Sequence, residues 1–410
     1  MNFSAALHLD PEAFPFVEYS ALYWGTHGKK EPSDDAKSLA LKLFERYDNH
    51  VSVRLLFKYQ MGLYKFSDIS RFTGLHCTSL FGLVEVVRSL MEIGFDINQG
   101  DARGITPLGW AAQDGQEEVV QLLLGRGDVS PDEPDCDSKT PLAYASMKGH
   151  EGVAQLLLRQ ENVNPNSVDK YHWTPLLHAV RDGHQGVVRL LLGRGDVNPN
   201  KPDDFGRTPL AHAAMDGHEG VVRLLLERRD VNPNKLDNFG RTPLVCADQN
   251  GHDRVVQLLL GRGDISPDKP DDLDQTPLSY AATSGYERVV RLLLARGDVI
   301  PDRLDRLGRT PLWYATKNEH EGMVQLLLEQ GNVNPDAVDL FGRTLLSCAA
   351  GNGHEGVVQL LGRGDVNPDK PDNVNRTPLV YAAWNGHDRA VFRTVQSVRL
   401  GGRTGRTAPW

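Results

Sequence analysis

The chain has 410 residues and carries 54 Asp and Glu against 45 Lys and Arg, a formal charge of −9. That balance argues against unspecific nucleic-acid binding, which needs a basic face. Four cysteines, Cys77, Cys136, Cys246 and Cys348, stand far apart with no Cys-x-x-Cys pair, so they read as small buried apolar residues in a reducing compartment and not as a disulfide or zinc framework. No apolar run approaches the ~18 residues of a membrane helix, and Asp10, Pro11, Glu12 and Pro15 are not signal-peptide chemistry. A cytoplasmic or nuclear protein is expected, without membrane contact.

Residues 1–72 share no pattern with the remainder of the chain. Phe14-Pro-Phe-Val-Glu-Tyr-Ser-Ala-Leu-Tyr-Trp-Gly-Thr-His is aromatic-rich and predicts a short helix. Ser33-Asp-Asp-Ala is placed to cap a second, with Leu39, Leu43 and Tyr47 at i, i+4, i+8, and Val53 to Tyr59 predicts a third. The segment reads as a helical cap that shields the apolar flank of the array beyond it. Gly25-Thr-His-Gly-Lys-Lys30 is no phosphate loop, since Tyr23 stands where the first glycine belongs and Lys30 where Ser or Thr must ligate magnesium.

From Thr73 the chain is periodic. Thr106, Thr140, Thr174, Thr208, Thr242, Thr276 and Thr310 succeed one another at intervals of 34 residues, each opening Thr-Pro-Leu; Thr344 keeps the interval with Leu345 in place of proline, and Thr377 comes 33 later. Such a period decides the architecture before any local reading, because each unit must stack on its neighbours to bury its apolar face. The cleanest copy is Gly206 to Leu226. Thr208 is the expected N-cap and Pro209 fits N1, where no amide hydrogen is needed. Leu210, Ala213 and Ala214 give a short first helix a small apolar face, and Gly217 suits the left-handed residue that ends it. A second helix begins at Glu219 with Val221, Val222, Leu224, Leu225 and Leu226 as a wide apolar band. Gly195 and its counterparts in Arg-Gly-Asp are expected to stop that helix, and the Pro-rich segment after them must be loop. The ninth copy, Val357-Val-Gln-Leu-Leu-Gly362, is one leucine short. Residues 396–410 read as a short disordered tail.

The pattern Thr-Pro-Leu-x-x-Ala-Ala-x-x-Gly-His-x-x-Val-Val-x-Leu-Leu-Leu-x-x-Gly-x-Asp-Val-Asn resembles the ankyrin repeat, in about ten copies over residues 73–395. The resemblance implies an all-α solenoid of helix-turn-helix repeats with β-hairpin-like fingers, a monomer without cofactor or metal, and a concave face that binds other proteins. The family's histidine after Thr-Pro-Leu is replaced, for example by Ala211, Val245 or Trp313. The stretch Phe14 to His27 resembles the segment that precedes the ankyrin array in fungal NACHT-type receptors, which implies the sensing end of such a receptor. A targeting subunit of a ubiquitin-ligase or kinase complex is a further reading.

Catalytic patterns are absent from the sequence. Asp196-Val-Asn-Pro-Asn200 starts like a calcium loop but has Lys201 for glycine and Arg207 for the bidentate Glu. The Arg-Gly-Asp triplets recur at one structural position of the repeat, as turns. The His-Glu pairs (His150, His218, His320, His354) lack a second histidine four residues on, so they read as turn histidines bonded to neighbouring backbone.

Recognition is expected where the repeat does not constrain the residue. An apolar residue three before the marker threonine and an arginine immediately before it recur side by side, and aromatics and arginine dominate binding hot spots. The expected partner-binding set is Tyr171, Trp173, Phe205, Arg207, Phe239, Arg241, Leu307, Arg309, Phe341, Arg343 and Arg376, with Trp313, Tyr314 and Trp384 on the first helices; Trp173, Trp313, Tyr314 and Trp384 are expected to be exposed. The competing reading has the apolar tips packing on one another while each arginine pairs with a loop aspartate.

Overall fold

A computed structural model describes residues 71–362 and 366–401, apart from the side chains of Phe392 and of residues 396–401. The predicted helices of residues 1–70, the Arg363–Asp365 triplet and the last nine residues lie outside this description. The described residues fall in two compact units that divide between Asn198 and Pro199.

The first unit contains four helix pairs: α1 Gly74–Leu80 with α2 Val84–Ile93, α3 Pro107–Gln113 with α4 Glu117–Leu124, α5 Pro141–Lys148 with α6 Glu151–Leu158, and α7 Pro175–Arg181 with α8 Gln185–Leu192. The second contains six: α9 Pro209–Met215 with α10 Glu219–Glu227, α11 Pro243–Gln249 with α12 Asp253–Leu260, α13 Pro277–Ser284 with α14 Glu287–Leu294, α15 Pro311–Lys317 with α16 Glu321–Leu328, α17 Leu345–Asn352 with α18 Glu355–Leu361, and α19 Pro378–Trp384 with α20 Asp388–Gly401. Within each unit the first helices pack side by side as one layer and the second helices as another. Each is the stack that the period requires.

Each pair forms for the reasons its sequence contains. The Thr208 hydroxyl accepts from the Ala211 amide and Pro209 occupies N1, an arrangement repeated from Thr106 to Thr310. At Thr344 the cap survives without the proline. There Leu345 keeps an amide hydrogen that proline lacks, and the isolated antiparallel bridge Val338–Thr344 is found at this copy. Gly217 ends the first helix with φ 73°, and a Cβ there would meet the His252 ring at 2.7 Å. Leu210, Ala213 and Ala214 are fully buried, as are Val221, Val222 and Leu225, whereas Leu224 and Leu226 lie half-buried at the band's edges. Each fully buried Val or Leu contributes roughly 1.5–3 kcal/mol, so a helix of eight or nine residues is held mainly by its neighbours.

Three local expectations change. The second helix stops three residues before the predicted glycine: α8 ends at Leu192 with Gly193 as its C-cap, and Gly195 has no positive φ. A glycine in that place loosens the turn without imposing a left-handed cap. Helix α20 runs on to Gly401, past residue 395. Cys77 and Cys246 are buried as expected and Cys348 is half-buried, but Cys136 is exposed, because it sits beside a loop tip and not on a helix.

Candidate functional site

The loop between successive pairs closes on an aspartate five residues before the marker threonine. Asp203 illustrates it. Its Oδ1 accepts from the amides of Phe205 and Arg207, both at 2.9 Å, and its own amide donates to the Arg207 carbonyl at 3.0 Å. Gly206, with φ 75°, completes a tight hairpin-like finger whose tip is Phe205. The same pair of amide bonds is made by Asp101, Asp135, Asp169, Asp237, Asp271, Asp305, Asp339 and Asp372. All are buried. Sequence reasoning placed these aspartates only as possible partners of the arginines and missed that they close each finger, although an aspartate at one fixed place in every copy was the signal.

The second carboxylate oxygen sets the fate of the arginines. Arg207 donates Nε to Asp203 Oδ2 at 3.0 Å and Nη2 at 2.8 Å, and His212 Nε2 donates to the same oxygen at 2.9 Å. Arg241, Arg343 and Arg376 hold Asp237, Asp339 and Asp372 likewise. Burial works to raise the Asp203 carboxyl, but the Arg207 amide and the His212 and Arg207 side chains outweigh it and hold it below the usual range. Burial in turn keeps His212 below an ordinary histidine. These arginines are structural cations, neutralised within their own finger.

Each guanidinium also lies over the neighbouring tip ring: Arg207 over Phe205 at 4.6 Å, Arg241 over Phe239 at 4.8 Å and Arg343 over Phe341 at 5.0 Å. One ring face is thus supported. The other is open, and Phe205, Phe239 and Phe341 remain 53%, 55% and 56% exposed. Leu273, Leu307 and Val374 continue the series as exposed apolar tips. The tips do not bury one another. Main-chain bonds register them instead: the carbonyls of Phe205, Leu273, Leu307 and Phe341 accept from the amides of Asn238, Arg306, Leu340 and Asn373 at 2.9–3.2 Å. In the first unit the equivalent carbonyls of Arg103 and Asp137 accept from Cys136 and Lys170 at 2.8 Å. Its tips are Arg103, Asp137 and then Tyr171, which stands exposed with the Lys170 ammonium 5.0 Å from its ring centroid. The continuous apolar row belongs to the second unit.

The aromatics expected on the first helices divide. Trp384 is 71% exposed on α19. Trp173 is half-buried, with the Arg181 guanidinium 4.9 Å from its ring centroid. Trp313 and Tyr314 are buried, at 4% and 7%, against the expectation of exposure. Trp313 occupies the position of Ala211 and Val245, which is shut between neighbouring first helices, and Tyr314 takes the place of His212, donating its hydroxyl to Asp305 Oδ2 at 2.6 Å. With that oxygen engaged, Arg309 lies over the Trp313 ring at 4.3 Å. Gln275, which breaks the arginine series, donates instead to the Tyr314 hydroxyl.

The turn histidines do what their position predicts. Nε2 of His150, His184, His252, His320 and His354 meets the carbonyl of Gln113, Met147, Met215, Thr283 and Lys317 respectively in the preceding repeat, at 2.9–3.2 Å. They bond one repeat to the next. In the first repeat the family-type histidine survives: His76 Nδ1 lies 3.0 Å from the Thr73 amide nitrogen and Nε2 lies 2.8 Å from the Gln99 carbonyl. Among the described residues no group of three or more His, Cys, Asp or Glu is arranged to hold a metal ion, and no helix is long and apolar enough to cross a membrane.

Known proteins give the context for this architecture. The chain is 29% identical over 106 residues to the serine/threonine-protein kinase VIK of Arabidopsis thaliana, covering 26% of this chain and 24% of that protein. It is 40% identical over 63 residues to the palmitoyltransferase AKR1 of Lachancea kluyveri, covering 15% of this chain and 8% of that protein. The chain therefore spans a quarter or less of either relative. A family model described as ankyrin repeats in three copies matches residues 41–132, 108–203, 195–271, 264–339 and 323–393 in overlapping succession. With helix pairs, capped turns and registered fingers all repeating along those residues, the chain belongs to the ankyrin-repeat family.

Proposed function

We propose that this protein is a non-catalytic scaffold that captures a protein partner on the fingertip row of its second unit, from Phe205 to Val374. The observation that carries this reading is the contrast within each finger. Backbone bonds and a buried aspartate fix the tip, while the apolar tip side chain stays exposed, from 40% at Leu307 to 63% at Val374. A fixed apolar series is costly to leave in water unless something covers it. The adjoining first-helix ends (Met215, Gln249, Lys317) differ from repeat to repeat, as an interface on a uniform frame does.

The paired arginines refine the chemistry. Because Arg207, Arg241, Arg343 and Arg376 each neutralise a buried carboxylate, they contribute ring support and not free charge. The partner surface that fits is apolar and largely uncharged. The test replaces Phe205, Phe239 and Phe341 together by Ser and compares affinity capture, read by mass spectrometry, with the unaltered chain. Helix content by circular dichroism should be unchanged, and partners specific to the unaltered chain should fall at least tenfold, as for loss of hot-spot residues. Undiminished capture by the folded variant would move the interface elsewhere. Recovery of a kinase or ubiquitin-ligase subunit among the lost partners would identify a targeting role.

A further inference from the structure

A second ladder crosses the repeats behind the fingers, three residues before each finger aspartate. Where that residue is Asn it makes two bonds to the next repeat. Asn166 Oδ1 accepts from the Asn198 amide at 2.8 Å, and its Nδ2 donates to the Asp196 carbonyl at 2.6 Å. Asn200 accepts from Asn232 and donates to the Asp230 carbonyl, and Asn234 accepts from Ser266 and donates to the Asp264 carbonyl, with distances of 2.6–2.8 Å. Asn98 does the same with Ser130 and Asp128. The side-chain amide suits this place because one end accepts and the other donates.

At other equivalent places the residue is Asp, and three of these, Asp132, Asp268 and Asp302, share one arrangement. Asp132 Oδ2 accepts the Asn164 amide at 3.2 Å, and Asp302 Oδ2 accepts the Asn334 amide at 3.1 Å, each taking the role of the Asn oxygen. Asp268 Oδ2 meets Arg303 Nη1 at 3.1 Å. In all three the other oxygen, Oδ1, is shut off from solvent and has no hydrogen-bond partner. By the register of the asparagines, that oxygen stands where Nδ2 would donate to the carbonyl 30 residues on, at Asn162, Asp298 and Asn332. An ionised carboxylate there sets two acceptors against each other, whereas a carboxylic acid can donate its proton and restore the bond.

We propose that Asp132, Asp268 and Asp302 are proton-binding sites at inter-repeat junctions, each completing its junction when protonated and loosening it when ionised. The surroundings agree with the geometry. Burial pushes the Asp132 and Asp302 carboxyls up, opposed by the Asn164 and Asn334 amides. Asp268 is likewise raised by burial, although the Arg303 guanidinium draws it down, with Asp298 a smaller influence the other way. Asp336 differs, since both of its oxygens lie 3.1 Å from the Asn367 amide nitrogen. The asparagine copies act as built-in permanently protonated counterparts.

A carboxyl raised in the folded state leaves the native chain holding more protons than the unfolded one, so its junction weakens as pH rises above ~4. Thermal melts of the full chain and of Asp132→Asn, Asp268→Asn, Asp302→Asn and the control Asp336→Asn, at about pH 7.5 and about pH 4.5, separate this from general acid effects common to all variants. The expected result is a Tm about 2–4 °C higher for Asp132→Asn and Asp302→Asn at the higher pH, shrinking at the lower. Asp268→Asn should gain less, because it also loses Arg303, and Asp336→Asn should show no pH-dependent gain. A gain equal at both pH values, or a lower Tm at the higher one, would overturn the proposal. So would carboxyl carbon resonances of Asp132 and Asp302 that titrate at or below ~3.9.

Discussion

At the scale of single residues, the finger aspartate is the side chain on which most donors converge. Replacing Asp203 by Ala strips partners from two amides, one guanidinium and one imidazole, all in a buried pocket. A loss of ~3 kcal/mol or more in urea unfolding is expected, against ~1 kcal/mol for Arg207→Ala, which leaves the amide bonds intact. If the two variants were equally stable, the carboxylate would not be the organiser. Asp248 presents the reverse case. It takes the position of Ala214 on the first helix and is fully buried, with no side chain donating to either carboxylate oxygen and only the Ala281 backbone amide opposing the effect of burial. Burial pushes its carboxyl well above the ordinary range. Folding therefore retains a proton that the unfolded chain gives up above ~4, and the chain loses stability as pH rises through that window. Asp248→Ala should gain ~1–3 kcal/mol at neutral pH, and the gain should shrink in acid. A gain that ignores pH would mean the carboxyl carries no penalty. Neither aspartate's role could be read by eye, because a residue letter shows neither burial nor the direction of a lone pair.

At the scale of the element, the helix pair was nearly fully legible. Threonine, proline and the turn glycine each satisfy a backbone requirement that depends on a few neighbouring residues, so the sequence alone reveals it. The two turn glycines separate cleanly in a stability test. Gly217→Ala must place a Cβ at positive φ against the His252 ring, and ~2 kcal/mol or more of destabilisation is expected. Gly195→Ala meets nothing within 4 Å and has no positive φ, so its effect should stay within ~0.5 kcal/mol. Similar losses at both sites would show that the Arg-Gly-Asp turn is under a constraint the backbone does not reveal. The aromatics were less legible than the helices they sit on. Trp313 and Trp384 both occur near Thr-Pro-Leu openings, but one falls on the face between helices and the other at the helix end of the last described repeat. Helical spacing predicts which residues share a face; it does not predict which neighbour covers it.

At the scale of the whole chain, period and composition gave the family's architecture, while of the residues expected to bind a partner the tips stand exposed and four of the arginines pair with aspartates of their own fingers. The charge of Arg207, Arg241, Arg343 and Arg376 is spent internally, which changes what binding should look like. Partner binding at the row from Phe205 to Val374 should vary by less than about threefold between ~0.05 and ~0.5 M salt, since little net charge is there to screen. A steep loss of affinity with salt, measured by titration once a partner is in hand, would return the arginines to the interface. The sequence offered this pairing as an alternative but did not decide for it, because it depends on a loop folding back four residues to bring Arg207 onto Asp203.

The main-chain bonds between fingers have a consequence for how such a surface changes. The tips Phe205, Phe239, Leu273, Leu307 and Phe341 are each seated by a carbonyl and the next finger's amide, groups that every residue type except proline carries. Phe205, Leu273 and Leu307 already occupy equivalent seats, with the same main-chain bonds to the next finger. The row is therefore a set of interchangeable positions, and its binding preference can be rewritten one repeat at a time while the fold stays as it is.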